Sequence, residues 1–257
     1  MSLAWSMDKV GPICRSVEDC ALILDAIYGA DGLDPTTVNR PFAWPPTQPV
    51  KSLRVGYFEI KDKPADERNE LRVLRELGMS LIPIELPKEI PASALTVILD
   101  AESTAVFDDL VRQKKLDGTG PWANSFRRGQ LIPAVEYLRA NRIRVRLMEQ
   151  MAELMQKVDV YVGGDDLTIT NLTGHPTIVL PHAVEIQADR VTPQTITFTG
   201  RLYGESELLG VARAYEQAIG FTGRPDMEKL LRLSEEEGKS ESRNTKSETN
   251  SNSKKEE

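Results

Sequence analysis

The sequence predicts an α/β protein in which a mixed, largely parallel β-sheet is flanked by helices. Residues 53–58 and 81–86 have the apolar, β-branched pattern of strands, and residues 67–77 between them have a helical period ended by a glycine. A strand, a helix and a second strand in this order favour parallel pairing. The length of 257 residues and the hydrophobic content of 40% are sufficient for a sizeable core.

The chain begins with an extended segment containing Gly11 and Pro12, which then leads into a helix. Ser16 can cap the first turn of this helix with its hydroxyl, and Asp19 follows at the position of a capping partner. Gly29 stands where a left-handed residue would end the helix. The apolar face predicted for this helix consists of Val17, Cys20, Ala21, Leu24, Ile27 and Tyr28.

The middle of the chain predicts a loop followed by a second helical region. Residues 31–49 are rich in proline and predict a surface loop held by Phe42 and Trp44. Residues 94–116 predict one continuous helix that ends at the glycine-rich turn 118–121. The residues expected to face inward from that helix are Leu95, Ile98, Ala101, Ala105 and Val106.

The longest periodic segment, residues 131–157, predicts a helix of roughly 40 Å. Its predicted apolar face consists of Leu131, Val135, Leu138, Ile143, Leu147, Met151, Leu154 and Met155. The segment also carries four arginines, which are Arg139, Arg142, Arg144 and Arg146. Charge runs on helices are usually solvated, so we expect these arginines to face solvent and to pair with Glu136 and Glu149. Contact with a tRNA is the alternative role.

A buried-strand pattern at residues 158–162 leads into the turn Gly163-Gly164-Asp165-Asp166. Ligand sites in α/β proteins gather beyond strand ends, so this turn is the first place expected to touch a substrate. Asp166 is a candidate pocket residue, and its alternative role is that of a turn or cap residue. The remaining predicted elements are strands at 177–180 and 195–199 and a helix at 205–219.

The composition favours a soluble protein of the cytoplasm. The net charge of −7 argues against a general nucleic-acid-binding surface, so a nucleic-acid partner is not expected. No segment resembles a signal peptide or approaches the roughly 20 apolar residues of a membrane span. Cys14 and Cys20 are expected to be reduced thiols. Residues 226–257 are rich in charged and small polar residues and predict a disordered charged tail.

Two segments, residues 6–19 and residues 168–181, carry motifs of a known family. The first is Ser-Met-Asp-Lys-Val-Gly-Pro-Ile-Cys-Arg-Ser-Val-Glu-Asp, and the second contains Asn171-Leu-Thr-Gly-His-Pro176 and is followed by Phe198-Thr-Gly-Arg201. These segments resemble the amidase-signature family, which includes amidases and the A-type chain of tRNA-dependent amidotransferases. The resemblance implies that residues 1–225 are the C-terminal part of an amidase-signature domain.

The resemblance also implies an activity, which is cleavage of the C–N bond of a small carboxamide without a metal or an organic cofactor. In the family, a lysine activates a serine nucleophile through a second serine, and a Ser/Gly-rich loop forms the oxyanion hole. This sequence has no Ser-Ser dipeptide and no Gly-x-Ser-x-Gly, so we expect no catalytic residue in it and no activity from it alone. Asn171 and Thr173 join Asp166 as candidate substrate-binding residues, because they begin the second motif.

Three functions remain open for this sequence. The first is the C-terminal portion of an amidase-signature hydrolase that lacks its N-terminal portion; the others are a non-catalytic binding or scaffolding protein and part of the A-type chain of an amidotransferase. A nucleophile built from the cysteines with His175 or His182 is disfavoured, because Cys20 points into an apolar helix face. A partial fold exposes its sheet edge, so we expect a partner chain or self-association there.

Overall fold

The computed structural model describes the following parts of the chain: residues 3–34, 37–164, 167–187 and 190–221. Asp166 and residues 226–257 lie outside these ranges, so their predicted roles as a pocket residue and a disordered tail stay predictions. Within the described residues, none of the helices combines the length and the apolar character needed to cross a bilayer.

The described elements alternate between helices and strands along the chain. The α-helices are α1 (Val17–Ile27), α2 (Asn69–Glu76), α3 (Val97–Val106), α4 (Asp108–Arg112), α5 (Trp122–Gly129), α6 (Ala134–Lys157), α7 (Thr168–Thr173) and α8 (Glu205–Ile219). The strands are β1 (Arg54–Phe58), β2 (Ser80–Ile84), β3 (Val160–Val162), β4 (Thr177–Gln187) and β5 (Arg190–Gly200).

The described strands form one five-stranded sheet in the order β2-β1-β3-β5-β4. β1 pairs in parallel with β2 and with β3, whereas β5 is antiparallel to both β3 and β4. Every described strand except β5 therefore runs in the same direction. This arrangement confirms the predicted mixed, largely parallel sheet flanked by helices.

Alternate residues of the strands supply two hydrophobic cores, one on each face of the sheet. In β3, Val160 and Val162 belong to one core, and Tyr161 between them belongs to the other, because successive side chains of a strand point to opposite faces. The first core is covered by α1, α2 and α8. The second core is covered by α3, α6 and α7. The sheet is thus enclosed between two helical layers.

Helix α1 begins as the sequence predicts but buries less of its surface. The Ser16 side chain accepts a hydrogen bond from the Asp19 backbone N–H at 3.1 Å, and Gly29 has a φ of +108°. Val17 and Ala21 are buried, as predicted. Ile27 and Tyr28 are exposed, which corrects the prediction that they pack inward.

The region predicted as one helix over residues 94–116 is divided into three shorter pieces. A 3-10 turn covers Ala92–Thr96, and α3 and α4 are separated at Phe107, which has a φ of −102° and a ψ of 17°. The Phe107 ring stacks on Phe126 of α5, with ring centroids 4.8 Å apart, and this contact accompanies the break. The inward face of α3 is also more polar than predicted, because it includes Glu102 and Thr104.

The long helix is confirmed, but it begins at Ala134 because Pro133 occupies its N-cap with an extended backbone. Its buried residues are Ala140, Leu147, Met151, Leu154 and Met155. The first part of the predicted apolar face is exposed, and these residues are Leu131, Val135, Leu138 and Ile143. The periodicity identifies the helix correctly, whereas most of its buried residues lie in its second half.

The two predicted strands at 177–180 and 195–199 are the inner ends of a longer antiparallel hairpin, β4 and β5. Pro181 and Pro193 favour the prediction of shorter strands, because proline has no backbone N–H to donate to a neighbouring strand. Pro181 is tolerated because β4 is the edge strand, and a bulge follows at Pro181/Ala183. Pro193 is tolerated because β3 pairs only with residues 198–200 of β5, so the outer part of β5 has a single neighbour.

Candidate functional site

A cleft of about 620 Å³ is lined by Phe58 and Ile84 at the carboxyl ends of β1 and β2 and by Leu154 and Lys157 near the end of α6. Gly164, in the turn that follows β3, forms part of its lining. Gly163 and Gly164 have φ values of +98° and +85°, a backbone conformation that side chains rarely adopt. The sequence predicts that this turn touches a substrate, and that role stays a prediction, because Asp166 itself is outside the described residues.

The second motif forms α7 and the turn after it. Thr173 is buried, and its hydroxyl donates to the Ile169 carbonyl at 2.7 Å while it contacts His175 Nδ1 at 2.8 Å. Gly174 ends the helix with a φ of +82°. Asn171 is half-buried, and none of the described residues forms a hydrogen bond with its side chain. Of the two candidates, Asn171 therefore keeps its amide available, while the Thr173 hydroxyl is engaged inside the fold.

His175 is a buried neutral residue at the centre of this turn. Only 2% of it is exposed, and burial, assisted by the nearby Lys9 ammonium, lowers the pKa of His175 from 6.5 to about 4. The Thr173 hydroxyl proton is already committed to Ile169, so the imidazole must donate from Nδ1. Lys9 Nζ donates to the His175 carbonyl at 2.8 Å and so joins the first motif to the second.

The pH dependence of stability tests this description of His175. Its pKa is lower in the folded state than in the unfolded state, so the unfolded chain binds more protons as the pH falls below 6.5. We expect the imidazole to reduce the unfolding free energy by about 2 kcal/mol between pH 7 and pH 5. Chemical denaturation at both pH values should show that the unfolding free energy falls less between pH 7 and pH 5 in His175→Gln than in the wild type.

The control for this comparison is His182→Gln, which removes the other histidine. His182 is half-buried, and its Nδ1 lies 2.6 Å from the Tyr215 hydroxyl. If the unfolding free energy of His175→Gln falls as much between pH 7 and pH 5 as that of the wild type, the assignment of a buried neutral imidazole at position 175 is contradicted.

A second polar cluster surrounds Glu102, which is 1% exposed. Its Oε2 accepts from the Ser6 backbone N–H at 3.1 Å, and its Oε1 accepts from the Tyr137 hydroxyl at 2.9 Å. Arg144 donates to Ser6 Oγ at 2.7 Å and also to the carbonyl oxygens of Ser6 and Leu172. The cluster fixes the first motif against α3, α6 and α7.

Arg144 is therefore an internal anchor, which corrects the prediction that all four arginines are solvated. Arg139 does pair with Glu136 at 3.0 Å on the exposed surface, as predicted. Arg144 differs because it lies three residues before the buried Leu147 and seven after Tyr137, and positions so spaced share one face of a helix. That spacing is the only signal in the sequence that could have identified it.

The cysteines and histidines do not form a nucleophile within the described residues. Burial, together with a side-chain hydrogen bond between Cys20 and Cys14, raises the pKa of Cys20 to about 11, which keeps its thiol protonated near neutral pH. His175 is engaged with Thr173, and His182 with Tyr215. The described residues also contain no group of three His, Cys, Asp or Glu side chains arranged to hold a metal ion.

Comparison with known proteins agrees with the fold and with both motifs. The family model described as Amidase matches residues 1–198. An amidase of Pseudomonas putida is 30% identical, and the match covers 87% of this chain and 56% of that protein. The A-type chain of the glutamyl-tRNA(Gln) amidotransferase of Gluconobacter oxydans is 23% identical, and the match covers 88% of this chain and 56% of that protein.

Solved structures match the same architecture. The native peptide amidase of Stenotrophomonas maltophilia superposes with a TM-score of 0.69 at 22% identity, covering 87% of this chain and 56% of that one. The two helical layers, the mixed sheet and the clusters that join both motifs thus define an α/β protein of the amidase type. The chain belongs to the amidase-signature family. It spans about half the length of the curated relatives it matches, 56% in the two given above.

Proposed function

We propose that this chain supplies the C-terminal part of a cytoplasmic amidase-signature amidohydrolase, which cleaves the C–N bond of a small carboxamide. The observation that carries the proposal is the family match over residues 1–198, in which both motifs are held together by Lys9 and Arg144. Covalent hydrolysis of an amide requires an activated nucleophile, a base and donors for the oxyanion. No organic cofactor or metal is needed for that chemistry.

The catalytic groups would come from polypeptide that is not among these 257 residues. The sequence has no Ser-Ser dipeptide, and its single Gly-Gly pair, Gly163-Gly164, is followed by aspartates. The imidazoles of His175 and His182 are engaged with Thr173 and Tyr215. The chain alone is therefore expected to be inactive, and its role is to complete the fold around serines and a lysine supplied from elsewhere.

A surface suited to that missing polypeptide lies beside the edge strand β4. A cavity of about 280 Å³ is lined both by the first motif and by residues Thr177 to Pro181 of β4, so these segments adjoin. Large apolar side chains are exposed on the first motif, on α1 and on β4, and they include Val10, Ile13, Leu22, Ile23, Ile27 and Val179. We call this set the uncovered surface. Exposed apolar patches next to an unpaired edge mark protein contacts.

Co-expression tests the proposal directly. The full chain is produced with the N-terminal part of the Pseudomonas putida amidase, which supplies the family's catalytic segment, and hydrolysis of simple amides is measured. We expect no turnover from either part alone and at least about 100-fold more from the pair. A matched control replaces the serine nucleophile of the N-terminal part by alanine. Turnover by the chain alone that survives Cys14→Ala with Cys20→Ala would contradict the proposal.

Variants of the uncovered surface locate the contact. Ile13→Asp places a charge on a side chain that is fully exposed in the chain alone, so folding should be unaffected while pairing and activity fall. Leu131→Asp is the control, because Leu131 is 82% exposed but lies just before α6, in the other helical layer. Equal losses for both variants would argue against this surface, and self-association blocked by Ile13→Asp would identify a second copy as the partner.

A second candidate is part of the A-type chain of an amidotransferase, which the relative from Gluconobacter oxydans favours. That role would require pairing with the other chains of such an enzyme. The helix α6 offers limited support for a tRNA contact, because Arg144 is used internally and Arg139 pairs with Glu136. A non-catalytic binding role would be favoured if the chain is a stable monomer that gains no activity from any N-terminal part.

A further inference from the structure

The two cysteines of the chain lie side by side where the first motif enters α1. Cys14 comes two residues before the N-cap Ser16, and Cys20 is in the first half of the helix. The Cys20 thiol donates to the Pro12 carbonyl at 3.8 Å, so the segment that contains Cys14 folds back across α1. A side-chain hydrogen bond also joins Cys20 to Cys14. The fold therefore holds the two sulfur atoms next to each other, as bond formation between them requires.

Both thiols can be reached by a small oxidant. They are free and half-buried, and both line the cavity of about 280 Å³ beside β4. The neighbouring Ile13 is fully exposed and belongs to the uncovered surface. Polypeptide that covers this surface would also close the cavity, so a reaction of the thiols belongs to the unpaired chain. Since the sequence contains two cysteines in all, a disulfide within the chain has a single possible pairing.

We propose that Cys14 and Cys20 form a reversible modification site, in which hydrogen peroxide closes a disulfide between them and a small thiol such as glutathione reopens it. The Cys14 sulfur attacks the peroxide, breaks its O–O bond and becomes a sulfenic acid, with release of one water. The Cys20 sulfur then attacks the sulfenic sulfur, gives up its proton and releases a second water. Two molecules of glutathione reverse the change through a mixed disulfide and leave as glutathione disulfide.

The surroundings of the two sulfur atoms set this order of attack. Burial, with the contact to Cys14, raises the pKa of Cys20 to about 11, so Cys20 remains a thiol near neutral pH. The thiolate is the form that attacks an oxidant, so Cys14 reacts first and Cys20 resolves the sulfenic acid. The disulfide would clamp the segment before α1 onto the helix and fix the position of Ile13. The modification does not depend on the proposed amide hydrolysis, in which neither sulfur takes part.

The test uses the full chain in its reduced form, treated with a small excess of hydrogen peroxide. The intact mass should fall by about 2 Da and should return when glutathione is added. Trypsin cleaves after Lys9 and Arg15, so the two cysteines leave on different peptides. We expect peptide 10–15 to stay joined to the peptide that begins at Ser16 until it is reduced. Irreversible oxygen addition, a disulfide between two chains or an unreactive folded chain would overturn the proposal.

Cys20→Ser and Cys14→Ser separate the roles of the two sulfur atoms. In Cys20→Ser, the sulfenic acid has no thiol to resolve it, so dimedone should label this variant at least about 10-fold more than the wild type. Cys14→Ser should react with peroxide at least about 10-fold more slowly than Cys20→Ser, because its remaining thiol is held protonated. Equal labelling or equal rates would contradict the assigned order of attack.

A comparison with the unfolded chain measures what the fold contributes. The wild type is equilibrated in glutathione buffers with and without urea, and the ratio of disulfide to dithiol is determined by mass spectrometry. We expect this ratio to be at least about 10-fold higher in the folded chain, because the fold holds the sulfur atoms together. The same ratio in urea would mean that the two cysteines pair only because they are close in sequence, and would overturn the proposal.

Discussion

Arg144→Met is expected to lower the unfolding free energy by about 3 kcal/mol and the Tm by about 10 °C. The substitution keeps the length of the side chain but removes its donors to Ser6 Oγ and to the carbonyl oxygens of Ser6 and Leu172. It also removes a cation that interacts electrostatically with the buried Glu102, and an uncompensated buried charge is costly. The guanidinium is only half-buried, which places the expected loss at the lower end of the range for such anchors.

The same helix provides the control for this prediction. Arg142→Met removes an exposed arginine of α6 and should change stability by less than about 0.5 kcal/mol. Urea denaturation of the wild type and of both variants gives the comparison. An Arg144→Met variant as stable as Arg142→Met would mean that the Ser6 contacts contribute nothing. In a double-mutant cycle, the stability losses of Arg144→Met and Glu102→Gln should not be additive, because both residues hold Ser6.

Gly129→Ala is expected to destabilise the protein by about 3 kcal/mol, which is the opposite of the usual effect of this change in a helix. Gly129 ends α5 where that helix packs against α3. A Cβ at this position would lie 1.9 Å from Thr104 Oγ1 and 2.5 Å from the Asp100 carbonyl oxygen. The Asp100 oxygen belongs to the backbone of α3, so the two helices would have to separate.

Two further variants identify the cause of the Gly129 effect. Gly11→Ala is the control, because no atom lies within 4 Å of a Cβ at that position, and its stability should stay within about 0.5 kcal/mol of the wild type. Thr104→Ala removes the nearer contact, so the double variant with Gly129→Ala should recover only part of the loss. Full recovery would mean that the Asp100 carbonyl adapts freely, and a stable Gly129→Ala variant would contradict the close packing of α3 and α5.

These two predictions concern the framework that holds the family motifs in place. The first motif is fixed at Ser6 by Arg144 and Glu102, and at Lys9 by the His175 carbonyl. If the proposed function is correct, Arg144→Met should also reduce activity in the co-expressed pair, because it releases the segment that follows the nucleophile in the family. Loss of activity in a variant that is still folded would separate positioning of the motif from stability.

The site was only partly predictable from the sequence. Residue types and their order along the chain predict a substrate-binding role for Asn171 and Thr173 and for the turn at Gly163-Gly164, and those roles stay predictions. The cluster of Glu102, Tyr137 and Arg144 was missed, because Glu102 belongs to α3 while the other two belong to α6, and each resembles an ordinary surface residue when considered alone. Only the packing of α3 against α6 brings their polar groups together.

The sequence by itself determined the fold class, the position of the long helix α6 and the family motifs, because periodicity, capping and motif order are local properties of the chain. Tertiary structure decided which residues of those elements are buried. It divided the predicted helix at Phe107, exposed Leu131 just before α6 and turned Arg144 inward. Such outcomes depend on which surface each element meets, and that neighbour is a distant part of the chain that no local pattern specifies.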